Sequence, residues 1–90
     1  MRYLHIGFTT PGKPNVTDLE KLFKDVPDWM RYAPNCWVLW TQQTPQWWTE
    51  EIQKISPEAR FVILEVNLAS RWGLNDKWVW DWIANNPRRR

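Results

Sequence analysis

The chain reads as an α+β domain: a small antiparallel sheet with two helices on one face and a short C-terminal helix. Three observations predict it. Apolar residues alternate in RYLHIGF near the start and again in FVILEVNL. Between these, VTDLEKLFKDV and PQWWTEEIQKI place apolar side chains at helical spacing. The stretch separating the two helices, DWMRYAPNCWVLWT, is aromatic and β-branched and is broken by Pro34 and Asn35. Single strands or strand pairs that alternate with helices in this way build a sandwich of sheet and helices.

In the first strand Leu4, Ile6 and Phe8 face one side and Tyr3, His5 and Gly7 the other, the period-two pattern of a pleated chain. TTPGKPN follows as a loop, because it concentrates Pro, Gly and Asn. The first helix carries Val16, Leu19, Leu22, Phe23 and Val26 as its stripe. Thr17 with Glu20 has the spacing of a capping box, and Pro27 marks the stop. DWMRYA then reads as a short edge segment and CWVLWT as a strand.

Thr44 is placed to cap the second helix, with Pro45 at its first position. Trp48, Ile52 and Ile55 form its buried stripe, and Glu50 and Lys54 form an i,i+4 pair. In the last strand Val62, Leu64, Val66 and Leu68 share one face, and Phe61, Ile63 and Glu65 the other. ASRWGLND is a connector whose pliable point is Gly73. In KWVWDWI, capped by Asn75 or Asp76, the helical stripe is Trp78, Val79, Trp82 and Ile83; Trp80 and Asp81 fall outside it.

Both faces of such a sheet are apolar, and the two long helices cover only one. The second face brings together Tyr3, His5, Phe61 and Ile63, with a tryptophan from CWVLW beside them. A patch of that kind marks an interaction site. Either the C-terminal helix folds over it or a second copy does, and two-fold dimers are the commonest assembly.

Ninety residues make one domain, taken as residues 1–86, followed by a flexible basic tail at 87–90. Nine tryptophans supply an unusually large aromatic core for this length. The net charge of +2 belongs to the tail: without Arg88, Arg89 and Arg90 there are 9 basic against 10 acidic residues. A near-neutral body lacks the clustered basic face of a nucleic-acid binder. One cysteine, Cys36 in NCWVLW, excludes an internal disulfide and reads as a buried thiol in a reducing compartment. No apolar run approaches the roughly 20 residues of a membrane helix. The opening MRYLHIGF is too short and polar for a signal peptide. The expected location is cytoplasmic, with no membrane contact.

The order and its residues resemble the small Cas2-like proteins called SinR-like. The likeness lies in YLHIGFTTPGKPNVTDLEKL, in DWMRYAPNCWVLWT and the helix after it, in FVILEVNLAS, and in WGLNDKWVWDWI, which is similar to an AWDWI ending. It spans most of the chain as patterns rather than as one motif. The resemblance implies a ferredoxin-like sandwich that forms a sheet-based homodimer, and leaves room for nucleic-acid contact. Where the nuclease members carry an aspartate at the end of the first strand, this chain has Thr9 and Thr10. A hard divalent ion requires carboxylate oxygens, so metal-dependent cleavage is not expected.

The chemistry-bearing residues are few. His5, the lone histidine, sits mid-strand without a nucleophile beside it in sequence. GFTTPGKPN lacks the two spaced glycines and Lys-Ser/Thr pair of a phosphate loop, which weakens Thr9, Thr10 and Lys13 as phosphate ligands. Glu50 and Glu51 read as lying in the first turn of a helix, where its dipole explains them. Trp29, Arg31, Tyr32, Arg71, Trp72 and Trp80 are the candidate binding residues, for protein hot spots or for stacking on bases. The neutral body favours protein. The resulting expectation is a non-enzymatic homodimeric binding protein without metal or cofactor. Small size and tryptophan density point to a phage or mobile-element factor that inhibits a host defence protein. Two alternatives stay open: a Cas2-like nucleic-acid-binding protein or degenerate nuclease, and a small enzyme using His5.

Overall fold

The central strand β1 (Arg2–Phe8) is flanked on both sides. It pairs antiparallel with β3 (Cys36–Thr41) and with β4 (Phe61–Val66), and β3 pairs with β2 (Asp28–Ala33) across the two-residue turn at Pro34 and Asn35. The result, in a computed structural model that describes residues 1–9, 13–69 and 71–85, is a four-stranded antiparallel sheet in the order β2-β3-β1-β4. Thr10 and the tail at 87–90 lie outside the described residues. Helix α1 (Val16–Phe23) links β1 to β2, and α2 (Pro45–Ile55) links β3 to β4. Each of these two links joins strands that run parallel with one antiparallel strand between them. A third helix, α3 (Lys77–Asn85), follows β4. The architecture is small α+β, as the patterning predicts.

Helices α1 and α2 seal the first face. Leu4, Ile6 and Phe8 of β1 and Trp37 and Leu39 of β3 pack against Leu19 and Phe23 of α1 and Trp48 and Ile52 of α2. Phe23 is the hub, with ring centroids 6.1 Å from Trp29, 6.2 Å from Trp37 and 5.6 Å from Trp48. The hydroxyl of buried Thr41 anchors this layer to α2, accepting a hydrogen bond from the Trp48 indole N–H at 3.3 Å. The Trp37 indole N–H is buried without a partner among the described residues.

Phe61 and Ile63 belong to this first core, not to the face of Tyr3 and His5. The register explains the correction. Ile6 lies opposite Ile63 and Phe8 opposite Phe61, and directly opposed residues of an antiparallel pair share a face. FVILEV is apolar in both phases, so alternation alone could not orient it. The second face of β4 carries Val62 and Leu64 instead, and both remain exposed, at 59% and 56%.

Helix α3 lies on the second face. Val79 and Ile83 pack with Tyr3, Met30 and Val38, and Trp40, Trp80 and Trp82 border them. Trp82 is fixed by its indole N–H, which donates to Asp28 Oδ1 at 3.2 Å. The stripe is therefore rotated from the predicted one: Trp80 turns inward and Trp78 outward. A helix about 10 Å across covers about two strands spaced about 4.8 Å apart. Accordingly α3 shields the β2–β3 side and leaves Val62 and Leu64 of β4 bare.

Other local expectations are corrected by single contacts. The cap of α1 is Asn15, whose side chain accepts from the Thr17 and Asp18 N–H groups, rather than a Thr17–Glu20 box. Thr44 does cap α2, accepting from Trp47 N–H at 3.1 Å. Lys54 pairs with Glu51 at 2.6 Å rather than with Glu50, and Ile55 is exposed. The helix start at Pro45 places Glu50 and Glu51 in the second turn of α2 rather than the first. Cys36 is a free, half-buried thiol rather than a buried one.

Candidate functional site

Between the second face of the sheet, the strap formed by residues 71–76 and the inner side of α3 lies an open cleft of about 530 Å³. The strap exists because Gly73 adopts φ +156°, a value that disfavours a side chain, and so turns the backbone over the Trp80 ring. A Cβ at Gly73 would sit 3.7 Å from that ring. Arg71 secures the near end of the strap by donating from Nη1 to the Leu68 carbonyl at 3.0 Å. At the far end the Asn75 side chain accepts the Asp76 N–H at 2.8 Å.

The floor is apolar, built from Met30, Val38, Val66 and Val79. One wall is polar. The Tyr32 hydroxyl and His5 Nε2 are 2.5 Å apart across β2 and β1. Burial holds the His5 pKa below its ordinary value. Burial, together with hydrogen bonding to Cys36, pushes the Tyr32 hydroxyl up to about 12. His5 and Tyr32 share one hydrogen bond, and the imidazole tautomer sets which of them donates. Among the described residues Arg71 is the one charged residue lining the cleft, and no acid lines it.

Four of the six candidate binding residues therefore converge: Tyr32, Arg71, Trp72 and Trp80 line this cleft with His5. Trp72 stands at the rim with its side chain fully exposed. Trp29 and Arg31 do not join them. Trp29 packs against Phe23 in the first core. The Arg31 guanidinium sits 5.0 Å over the Trp37 ring and donates to the Pro34 carbonyl at 2.8 Å. Tyr3 is buried under α3, 4.4 Å from Trp40.

Val62 and Leu64 on the second face of β4, Leu74 in the strap and Trp78 on α3 are exposed, and none was among the candidate binding residues. The signal that could have found them was the doubly apolar β4, which obliges one set of side chains to face outward once β1 fixes the register. Among the described residues there is no cluster of three or more His, Cys, Asp or Glu able to hold a metal. No helix among them is long and apolar enough to cross a membrane. Comparison with family models, with curated proteins and with solved structures returns no match.

Proposed function

We propose that the chain is a ferredoxin-like, non-enzymatic binding protein that pairs with a second copy of itself through β4 and presents its tryptophan-bearing side to a protein partner. The observation that carries this reading is the exposure of large apolar side chains on the second-face side: Val62, Leu64, Trp72, Leu74 and Trp78. Monomeric proteins rarely leave so much apolar surface in water, and tryptophan is a preferred hot-spot residue. The two split strand-helix-strand units and the strand order support the ferredoxin-like assignment.

Strand β4 supports self-pairing specifically. It is a sheet edge, and FVILEV contains no Lys, Pro or Gly of the kind that protects edges from pairing. Its single charge, Glu65, lies 3.8 Å from Arg2 on the neighbouring β1. Two copies joined antiparallel along β4 would bring Val62 and Leu64 of each beside those of the other. Hydrogen exchange tests this: β4 amides that do not bond to β1 become protected as protein concentration rises. Exchange of those amides at an unprotected rate at every concentration contradicts it. A factor that acts on a host protein fits the small body and exposed tryptophans.

One observation favours a second reading, a Cas2-like nucleic-acid-binding protein. Arg71 and fully exposed Trp72 are adjacent, the arrangement that stacks a base beside a cation. Binding of oligonucleotides that weakens with salt supports that reading; no affinity at low salt rejects it.

A further inference from the structure

The cleft under the 71–76 strap is more than the inner side of a contact surface. We propose that it binds a small amphipathic carboxylate, with its apolar body on the floor of the cleft and its anionic head at Arg71. The volume, about 530 Å³, lies within the roughly 300–1,000 Å³ of small-molecule sites, and an apolar floor with a few convergent polar groups is their usual composition.

Charge decides the class of ligand. Among the described residues Arg71 is the one charged group lining the cleft and no carboxylate lines it, so these residues give the cleft a positive charge with no acid beside it. The guanidinium commits a single N–H to the Leu68 carbonyl. Its planar fork has five donors and matches a carboxylate in two parallel hydrogen bonds. A single cation suits a singly charged head better than a phosphate of nearly double charge. The remaining polar groups are neutral: the His5–Tyr32 pair and the side chains of Asn67 and Asn75. They add donors and acceptors without adding charge. The Trp80 ring, held against Gly73, provides a flat wall for the apolar body.

His5 makes the proposal directly testable, because it is the sole histidine and lines the cleft. Its imidazole proton resonances are monitored in the intact 90-residue chain while 2-naphthoate or octanoate is added. The two acids separate a planar aromatic body from a flexible aliphatic one, and 2-naphthamide and octanamide serve as uncharged controls. The expected result is a saturable shift of the His5 signals with at least one acid, an affinity about tenfold weaker for its amide, and a similar loss in Arg71→Gln. The variant removes one exposed hydrogen bond, from Arg71 to the Leu68 carbonyl, and the same spectrum, taken without ligand, verifies that the His5 surroundings are kept. Three results overturn the proposal: no saturable His5 shift at millimolar acid, equal affinity for acid and amide, or unchanged affinity in Arg71→Gln.

Discussion

Thr41 shows how much rests on one hydroxyl. It is 3% exposed and accepts two N–H groups, from the Trp48 indole at 3.3 Å and from the Gln43 backbone at 3.1 Å. Thr41→Val keeps the shape and leaves a buried indole N–H unpaired, so a loss of about 1–3 kcal/mol is expected in urea unfolding. His5 and Tyr32 give the second prediction at this scale. Burial lowers the His5 pKa, so the unfolded chain binds the proton more readily. Stability is then full above the ordinary value near 6.5 and falls as pH drops below it. Tyr32 has the opposite sense. Its hydroxyl is raised to about 12, so its contribution is full below the ordinary 10.0 and declines as pH climbs from there toward about 12. Thermal melts across both ranges check the signs, and proton resonances of the single histidine should titrate below 6.5.

Among the elements, legibility followed how strongly each one's pattern excluded alternatives. The strand β1 was oriented correctly because Leu4, Ile6 and Phe8 alternate with Tyr3, His5 and Gly7, which differ from them in polarity. Helix α2 was readable from Thr44 and Pro45, two residues with mechanistic reasons to stand at a helix start. Strand β4 was found but reversed, since Phe61 and Val62 are equally apolar and only pairing with β1 decides between them. In α3 the stripe was displaced because five apolar residues in Lys77–Ile83 surround most of the helix. Tertiary partners, the Asp28 carboxylate for Trp82 and Gly73 for Trp80, then chose the inner side. The start of α1 was misplaced because Asn15 precedes the capping pattern and offers its side chain to two N–H groups at once. Asn15→Ala should therefore cost about 1 kcal/mol in thermal or urea unfolding, while Thr17→Ala, outside the cap, should cost less. The cleft was legible only as a set of residue types. Its convergence depends on the strap returning over the sheet, which no local pattern in ASRWGLND specifies.

At the scale of the whole molecule, the nine tryptophans divide by role rather than filling one core. Trp29, Trp37 and Trp48 belong to the first core, with Trp47 stacked edgewise on Trp48. Trp40, Trp80 and Trp82 border the α3 cluster, and Trp72 and Trp78 face outward. One face of the sheet is closed by two helices, and the other is half closed by one. The imbalance leaves an apolar edge strand next to an apolar half-face, and that imbalance is the physical basis for the proposed self-pairing. Leu64→Lys puts a charge on the exposed side of β4, where it is solvated in a monomer and costly in a paired edge. The decisive measurement is molar mass by light scattering during gel filtration, for the unaltered chain and for Leu64→Lys. The account predicts twice 11.0 kDa for the unaltered chain and 11.0 kDa for the variant. A mass of 11.0 kDa for the unaltered chain at high concentration, or a dimer indifferent to Leu64→Lys, would contradict it.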